Sequence, residues 1–204
     1  MHLTHLIIDD FFNDPHAIRN QALAMNFPPR PEGAIYPGRN ADHQLALPGI
    51  EKLISQIVHE PLQPKAELSH CRPRIALAGD GAKTSVHIDN CHWSAIIYLT
   101  LDEHCQGGTH FFRHKATGWD MAPVFPGVAE AAGYKSAGDA LDTILKEDEN
   151  DLSKWEMRMT VPMKFNRLVL LRGYLWHDAG ASFGDTPENG RLILPAFFQN
   201  VASG

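Results

Sequence analysis

Four short apolar runs separated by turn residues constrain the fold of this chain more than any other feature. Each run is four to eight residues long, is rich in β-branched, aromatic or aliphatic side chains, and therefore predicts a buried strand. Several are apolar at successive positions, so periodicity favours an antiparallel β-sandwich or barrel without choosing between them. The runs are Ser94–Leu101, Thr109–Arg113, Asn166–Leu171 and Arg191–Phe198.

Residues 1–67 predict a helical layer packed beside these strands. A first strand at Leu3–Asp9 precedes Asp14-Pro15, a pair suited to the start of a helix. A second helix is predicted over Pro48–His59, because apolar residues recur there at helical spacing. Its apolar stripe consists of Ile50, Leu53, Ile54, Ile57 and Val58. The expected fold is therefore α+β, mainly β, with N-terminal helices as a buttress.

A long excursion separates the second strand run from the third. Residues 115–160 are rich in Gly, Pro and Ala, and then predict a helix around residues 139–149. We expect one domain over residues 1–204, with a β core at 68–114 and 160–199. Long excursions within a compact domain are often lids or binding loops, so the insertion is predicted to be lid-like. The alternative is a segment that covers a sheet edge.

Composition excludes several classes of function. A net charge of −6 and the lack of a Lys/Arg run argue against nucleic-acid binding. No stretch reaches the roughly 18 apolar residues needed to span a bilayer. The chain has three cysteines, an odd number, and none of them are in CxxC spacing. Neither a disulfide framework nor a zinc knuckle is therefore predicted for Cys71, Cys91 and Cys105. We expect a cytoplasmic protein that binds neither nucleic acid nor membrane.

The residues that carry chemistry lie at the ends of the predicted strands. His87 and Asp89 are two residues apart, so a strand would point both side chains to the same face. His177, which follows a later strand, would complete a set of two imidazoles and one carboxylate. This set leaves three positions of an octahedral metal open, as in non-heme Fe(II) oxygenases. We therefore predict His87, Asp89 and His177 as ligands of Fe(II).

With these residues in place, the chain resembles the Fe(II)/2-oxoglutarate-dependent dioxygenase superfamily. It is most similar to the prolyl-hydroxylase-like branch, and within that branch to an uncharacterised bacterial family. The resemblance covers residues 68–114 and 160–199 and implies a double-stranded β-helix, a cupin-like jelly roll. It also implies that Arg191 pairs with the distal carboxylate of 2-oxoglutarate and that Tyr98 donates a hydrogen bond to this co-substrate. Arg172 is the reserve candidate for the arginine.

The resemblance implies hydroxylation of a small-molecule, amino-acid or peptide substrate by O2, with release of succinate and CO2. Two alternatives stay open: a cupin-like metal dioxygenase that does not use 2-oxoglutarate, and a non-catalytic β-helix that binds a partner or senses metal. Arg191 separates these readings, because a mechanism without 2-oxoglutarate has no need of that cation.

Candidate substrate contacts lie near the ligands and in two segments, residues 27–43 and 115–160, which we predict to determine specificity. Neither the identity of the substrate nor the oligomeric state follows from the sequence. The candidate substrate-binding residues are Tyr36, Arg39, His92, Trp93, Arg113 and Trp176.

Overall fold

The computed structural model describes residues 3–34, 36–81 and 85–201, which contain ten strands and four α-helices. The strands are β1 His5–Ile8, β2 Arg39–Asn40, β3 Leu62–Pro64, β4 Arg74–Ala76, β5 Trp93–Tyr98, β6 Gly108–His114, β7 Trp155–Pro162, β8 Leu168–Arg172, β9 His177–Asp178 and β10 Arg191–Asn200. The helices are α1 Pro15–Leu23, α2 Ile50–Val58, α3 Val128–Ala131 and α4 Ala137–Asp148.

The strands form two antiparallel sheets within the described ranges. The larger sheet has seven strands in the order β1-β8-β5-β10-β4-β2, with β3 also paired to β10. The smaller sheet has the order β7-β6-β9. All four predicted strand runs are present, as β5, β6, β8 and β10. The prediction of a mainly β fold with antiparallel sheets and few helices is confirmed.

Side-chain alternation gives the larger sheet two different faces. On β5, Trp93, Ala95 and Ile97 belong to a hydrophobic core that also contains residues of α1 and α2. Ile96 and Tyr98 point the other way, into a second core shared with the smaller sheet. Because successive strand residues face opposite sides, one strand supplies both cores. The functional residues described below lie on the face directed towards the smaller sheet.

Both predicted N-terminal helices are present and contribute to the first core. The Asp14 carboxylate accepts a hydrogen bond from the Ala17 amide at 3.0 Å, so it caps α1 as its position predicts. The apolar stripe of α2 is narrower than predicted, because Leu53 is 41% exposed. The buried positions are Ile50, Ile54 and Val58, and the partly buried Ile57 packs against the same core.

The excursion after β6 is shorter than predicted. Residues 115–154 contain α3 and α4, but residues 155–160 already belong to β7, which pairs with β6. This strand escapes an apolar-pattern analysis because most of its side chains are exposed. The end of α4 is fastened to the sheet by Asp148, whose carboxylate lies 2.9 Å from Nε2 of the buried His114. Among the described residues, no helix is long and apolar enough to cross a membrane.

A buried polar cluster connects the end of α2 to the larger sheet. The Arg172 guanidinium stacks 4.1 Å from the centroid of the Trp93 ring and donates to the Glu60 carboxylate at 3.0 Å. The Trp93 indole also donates to Glu60, at 3.1 Å, and His92 lies 2.6 Å from the same carboxylate. Burial alone would raise the pKa of Glu60, but hydrogen bonds from Arg172, His92 and Trp93 lower it to about 2.

We expect Glu60→Gln to destabilise the fold by about 1 to 3 kcal/mol at neutral pH, because it leaves the Arg172 charge buried without a counter-charge. The lowered pKa means that the ionised carboxylate stabilises the protein fully above about pH 4.5, and that this contribution is lost as the pH falls towards 2. The difference between wild type and variant should therefore shrink in acid. Urea unfolding at a series of pH values measures it.

Glu156→Gln is the matched control, because Glu156 and its partner Arg158 are both exposed and such pairs contribute little. A Glu60→Gln effect no larger than that of the control, or one that is independent of pH, would contradict the stabilising role of the cluster.

Candidate metal centre

Backbone hydrogen bonds between remote segments bring the predicted ligands together. The amide of His87 donates to the carbonyl of His177 at 2.9 Å, and the amide of His177 donates to the carbonyl of His87 at 3.0 Å. The Asp89 amide donates to the carbonyl of Gly173 at 2.8 Å. His87 and Asp89 precede β5 in an irregular segment with a single bridge, whereas His177 begins β9. The segment that contains His87 and Asp89 is thus held by backbone hydrogen bonds to Gly173 and His177 rather than by membership of a regular strand.

The three side chains converge on one point. Ligand atoms of His87, Asp89 and His177 all lie within 4.8 Å of one another, as donors to one metal ion would. The imidazole centroids of the two histidines are 4.4 Å apart, and Nε2 of His177 lies 3.4 Å from Oδ2 of Asp89. His87 is 8% exposed and His177 is 2% exposed, so the group is shielded from bulk water.

Hydrogen bonds outside the triad orient each candidate ligand. Nδ1 of His87 lies 3.0 Å from the carbonyl of Ser85, and Nδ1 of His177 lies 2.8 Å from the carbonyl of Leu175. A carbonyl oxygen can only accept, so Nδ1 carries a proton in each ring and Nε2 is the nitrogen left to bind a metal. The Ser94 hydroxyl donates to Asp89 Oδ2 at 2.5 Å. Such outer contacts are the usual support of metal-ligating imidazoles and carboxylates.

The electrostatics of the triad suit a divalent cation. Burial and the neighbouring His177 lower the pKa of His87 to about 4, so this ring is neutral at physiological pH. Burial alone would raise the pKa of Asp89, but the charge and hydrogen bond of His177 hold it well below its usual value. Burial would lower the pKa of His177, and Asp89 raises it instead. A metal ion would replace that proton and take over the same electrostatic role.

The triad opens into a cavity of about 210 Å³. Alternate residues of β10 form one wall, because they face away from the helical core. The lining combines apolar side chains with a few polar groups, as ligand pockets commonly do. Besides the triad, the lining residues are Tyr36, Leu68, Ser69, Arg74, Ile88, Asn90, Ile96, Asp178, Ala179, Arg191, Ile193, Pro195 and Phe197.

Arg191 is the unusual member of this lining. It is 2% exposed, and its Nε and one terminal nitrogen have no hydrogen-bond partner among the described residues. Burial lowers its pKa, and the interactions with Tyr98 and Asp178 only partly offset that effect. A buried guanidinium without a counter-ion is strongly destabilising unless an anion pairs with it. An anionic ligand bound in this cavity, beside the triad, would therefore stabilise the buried Arg191.

The start of β10 is fixed around this arginine by Thr100. The Thr100 hydroxyl donates to the carbonyl of Gly190 at 2.9 Å and accepts from the amide of Leu192 at 2.9 Å. These two residues flank Arg191 on either side. Tyr98, predicted to contact the co-substrate, is not among the cavity residues, and its hydroxyl lies 2.7 Å from Thr109 Oγ1. Its hydrogen bond to a co-substrate stays a prediction.

Of the six predicted substrate contacts, only Tyr36 lines the cavity, with its ring 4.9 Å from that of His87. Arg113 lies away from this cavity, is partly exposed and donates twice to Asp120, at 3.0 and 2.9 Å. Trp176 is fully buried, and its ring centroid lies 5.1 Å from that of Trp155. The substrate contacts of both residues stay predictions. Arg39 lines a neighbouring pocket instead.

His92 and Trp93 also lie outside the cavity, because β5 begins at Trp93 and turns that side chain towards the helices. Both residues bind Glu60 on that side of the sheet. Arg172, the reserve candidate for the co-substrate arginine, belongs to the same cluster and is paired with Glu60. Because Arg172 already has a carboxylate partner, the structure favours Arg191 over this reserve candidate.

Sequence reasoning missed Arg74, Ser94 and Asp178. Arg74 carries a charge inside the otherwise apolar strand β4, which is a signal for an inward-facing functional residue. Ser94 is fully buried at the start of β5, where a small hydroxyl needs a partner. Asp178 follows a ligand directly and lies 2.8 Å from His110, but its sequence position alone gives no such indication.

Comparison with known proteins identifies a family and a fold. The sequence model of DUF6445, described as a family of unknown function, matches residues 2–198. A search of curated proteins finds no significant match.

Among solved structures, SnoK and SnoN, both from nogalamycin biosynthesis, share this fold. The non-heme α-ketoglutarate-dependent carbocyclase SnoK superposes with a TM-score of 0.55 at 13% identity, over 97% of this chain and 79% of its own. The non-heme α-ketoglutarate-dependent epimerase SnoN gives 0.52 at 17% identity, over 97% and 78%. Identities this low establish the fold alone. HygX from Streptomyces hygroscopicus, solved with nickel and 2-oxoglutarate, gives only 0.48 at 11% identity, over 97% and 83%.

The close approach of Gly173 to the ligand segment gives a test of this geometry. A Cβ atom at Gly173 would lie 2.3 Å from the Cys91 carbonyl oxygen and 2.5 Å from that of Asp89. We therefore expect Gly173→Ala to displace Asp89 and to lower the affinity for Co(II) at least about tenfold. Calorimetric titration of the folded variant measures this affinity.

Gly138→Ala is the control, since the nearest atom to a Cβ there is the Ser136 hydroxyl oxygen at 3.8 Å. Circular dichroism establishes that both variants are folded. Unchanged Co(II) affinity in folded Gly173→Ala would mean that Asp89 is not held against this glycine as described.

Proposed function

Because the chain belongs to DUF6445, a family whose function is unknown, we propose a function from the site itself: a non-heme iron oxygenase that uses 2-oxoglutarate as co-substrate. One observation carries this proposal. A triad of two imidazoles and one carboxylate shares a cavity with a buried arginine that has no anionic partner among the described residues. Iron and a 2-oxo-dicarboxylate are the pair of ligands that this combination suits.

The triad fits ferrous iron in donor type and number. Nε2 of His87, Nε2 of His177 and the carboxylate of Asp89 would bind one side of the metal and leave the other side open. When bound, iron and 2-oxoglutarate together supply the activation of O2, with conversion of the co-substrate to succinate and CO2. The protein contributes the orientation of the ligands, through Ser85, Leu175 and Ser94, and a cavity that limits access of water.

Arg191 distinguishes the proposal from its alternatives. We assign its guanidinium to the distal carboxylate of 2-oxoglutarate, a bidentate pairing for which arginine is better suited than lysine. A cupin-like dioxygenase without an oxo-acid co-substrate would leave this cation buried and unpaired. A non-catalytic binding protein would need neither the open metal face nor the arginine. Thr100 is assigned the structural role of fixing the start of β10 around Arg191, and Tyr98 is kept as the proposed second hydrogen-bond donor to the co-substrate.

The proposed reaction is hydroxylation of a small molecule, with amino acids and peptides as further candidates. Asp89 supports hydroxylation because its carboxylate would bind the metal where a smaller, non-ligating residue would leave room for an external anion. SnoN and SnoK are named as an epimerase and a carbocyclase. The same machinery can therefore lead to stereochemical inversion or ring closure, and analysis of the product separates these outcomes.

Several finer assignments also belong to this proposal. We interpret the two sheets as the halves of a double-stranded β-helix of the prolyl-hydroxylase-like branch, with α1 and α2 as the buttress. The single-domain organisation, the lid-like role of the insertion and a cytoplasmic location stay predictions.

Anaerobic spectroscopy tests the co-substrate assignment. We expect Fe(II) and 2-oxoglutarate together, but neither alone, to give a weak visible charge-transfer band. Arg191→Gln should weaken 2-oxoglutarate binding in this assay by about tenfold or more, because a charge-assisted bidentate contact is lost. Arg158→Gln is the control, since Arg158 is exposed on β7 and paired with Glu156. A band that forms with the same affinity in Arg191→Gln would overturn the role of Arg191.

Turnover tests the metal assignment independently of the substrate. With Fe(II), 2-oxoglutarate and O2, the wild-type protein should form succinate slowly even without its substrate. We expect His177→Ala to reduce the initial rate by at least about tenfold, because removal of a ligand weakens iron binding and disturbs the open face. Succinate is quantified by mass spectrometry. Equal rates in wild type and His177→Ala would show that the triad is not the site of the reaction.

A further inference from the structure

The cavity into which the triad opens, the metal cavity, adjoins a second pocket that is lined by four arginines. This arginine pocket has a volume of about 420 Å³ and is formed by the proline-rich segment after α1 together with β2 and β4. It shares Tyr36 and Arg74 with the metal cavity, so the two spaces meet at these side chains. The four arginines are Arg30, Arg39, Arg72 and Arg74.

The concentration of positive charge here contrasts with the rest of the protein. The chain has a net charge of −6 and ten arginines, of which four line this pocket. Asp42 is the acidic member of the lining, and its carboxylate is already engaged by Asn26 at 3.1 Å and by His43. A concave surface with uncompensated charge of one sign concentrates ligands of the opposite sign.

The four guanidinium groups form no ion pair within the described ranges, and two of them are oriented by hydrogen bonds. Arg30 donates to the backbone carbonyls of Gly81 and Ala34, at 2.5 and 2.6 Å, while its buried Nε has no partner there. Arg74 donates to the Asn40 side chain at 2.7 Å.

Arg39 and Arg72 make no side-chain hydrogen bond or ion pair with any described residue, although both line the pocket. Two guanidinium groups are thus oriented by the fold, and two are free to bind.

We infer that the arginine pocket binds an oxyanionic group of the substrate, a phosphate or a carboxylate, while the remainder of the same molecule extends into the metal cavity. The inference rests on the proposed function, because it assigns the substrate of that site. Guanidinium groups bind both oxyanions through paired, charge-assisted hydrogen bonds.

Tyr36 connects the two spaces in a way that sets the shape of this ligand. Its ring centroid lies 5.1 Å from the Arg74 guanidinium carbon on one side and 4.9 Å from the His87 ring on the other. A molecule anchored at Arg74 and passing Tyr36 therefore reaches the metal ligands directly. Beyond Tyr36 it meets apolar side chains, including Leu68, Ile193 and Phe197. The substrate class is an acidic small molecule with an apolar part next to the oxidised carbon.

The assignment divides the arginines of the site between two anions. Arg191 is fully enclosed within the metal cavity and serves the co-substrate, whereas Arg39 and Arg72 lie outside that cavity and serve the substrate. Variants of the two groups should therefore affect different ligands.

Binding of probe anions to the metal-free, full-length protein tests the inference. Calorimetry with pyrophosphate and with citrate distinguishes a phosphate from a carboxylate preference. We expect saturable binding of at least one anion, and an affinity lowered by about tenfold or more in the double variant Arg39→Gln/Arg72→Gln. Neither side chain bonds to another described residue, so the double variant should fold, which circular dichroism checks. Arg158→Gln should bind as wild type does.

Two further measurements separate this inference from the proposed function. Arg191→Gln should retain binding of the probe anion, and Arg39→Gln/Arg72→Gln should retain the charge-transfer band with Fe(II) and 2-oxoglutarate. The inference is overturned if the wild-type protein binds neither anion, if the double variant binds as tightly as wild type, or if binding depends on Arg191 instead. If the wild-type protein binds the probe anion but gives no charge-transfer band with Fe(II) and 2-oxoglutarate, only the proposed co-substrate is contradicted.

Discussion

The reciprocal backbone hydrogen bonds between His87 and His177 are the contact on which the rest of this structure depends. His87 lies just before β5 of the larger sheet, and His177 begins β9 of the smaller sheet. Their pairing is an isolated bridge that connects the segment before β5 to the smaller sheet, and the centroids of the two imidazole rings lie 4.4 Å apart. Because β9 also pairs with β6, the position of His177 is fixed by the smaller sheet. A rigid framework of this kind is what a metal centre with open positions requires.

Charge balance links the triad to the arginines around it. Under the proposed function, ferrous iron with one carboxylate ligand keeps a positive charge, and Arg191 adds another within the same enclosed space. A doubly negative co-substrate would neutralise both, which explains why such a cation can persist beside a metal site. The arginine pocket lies next to this space and shares Tyr36 and Arg74 with it. If both proposals hold, the two spaces bind two different anions, one from the co-substrate and one from the substrate.

Much of the architecture could be predicted from the sequence, and the failures have physical causes. The apolar runs located β5, β6, β8 and β10, because buried strands must be apolar whatever their neighbours are. The ligand triad followed from the spacing of His87 and Asp89 and from strand ends. β7 was missed since most of its side chains face water and carry no apolar pattern.

At the site, the sequence indicates which residue types are present but not the face of the sheet to which each side chain points. His92 and Trp93 are next to the ligands in sequence, but the sheet turns them towards Glu60, and only three-dimensional pairing decides which face a residue takes.

The anchoring of α4 limits which part of the insertion can move. Its last residue, Asp148, is held by His114, and the carbonyl of Asp148 accepts a hydrogen bond from the Trp155 indole at 2.8 Å. Lifting this helix would expose to water His114 and Trp155, which are now 1% and 4% exposed. Outward movement of the helix end is therefore opposed by the loss of burial as well as by the broken hydrogen bonds. The last turn of α4 is therefore expected to stay in place when a ligand enters, so that any movement of the insertion would begin at residues farther from Asp148.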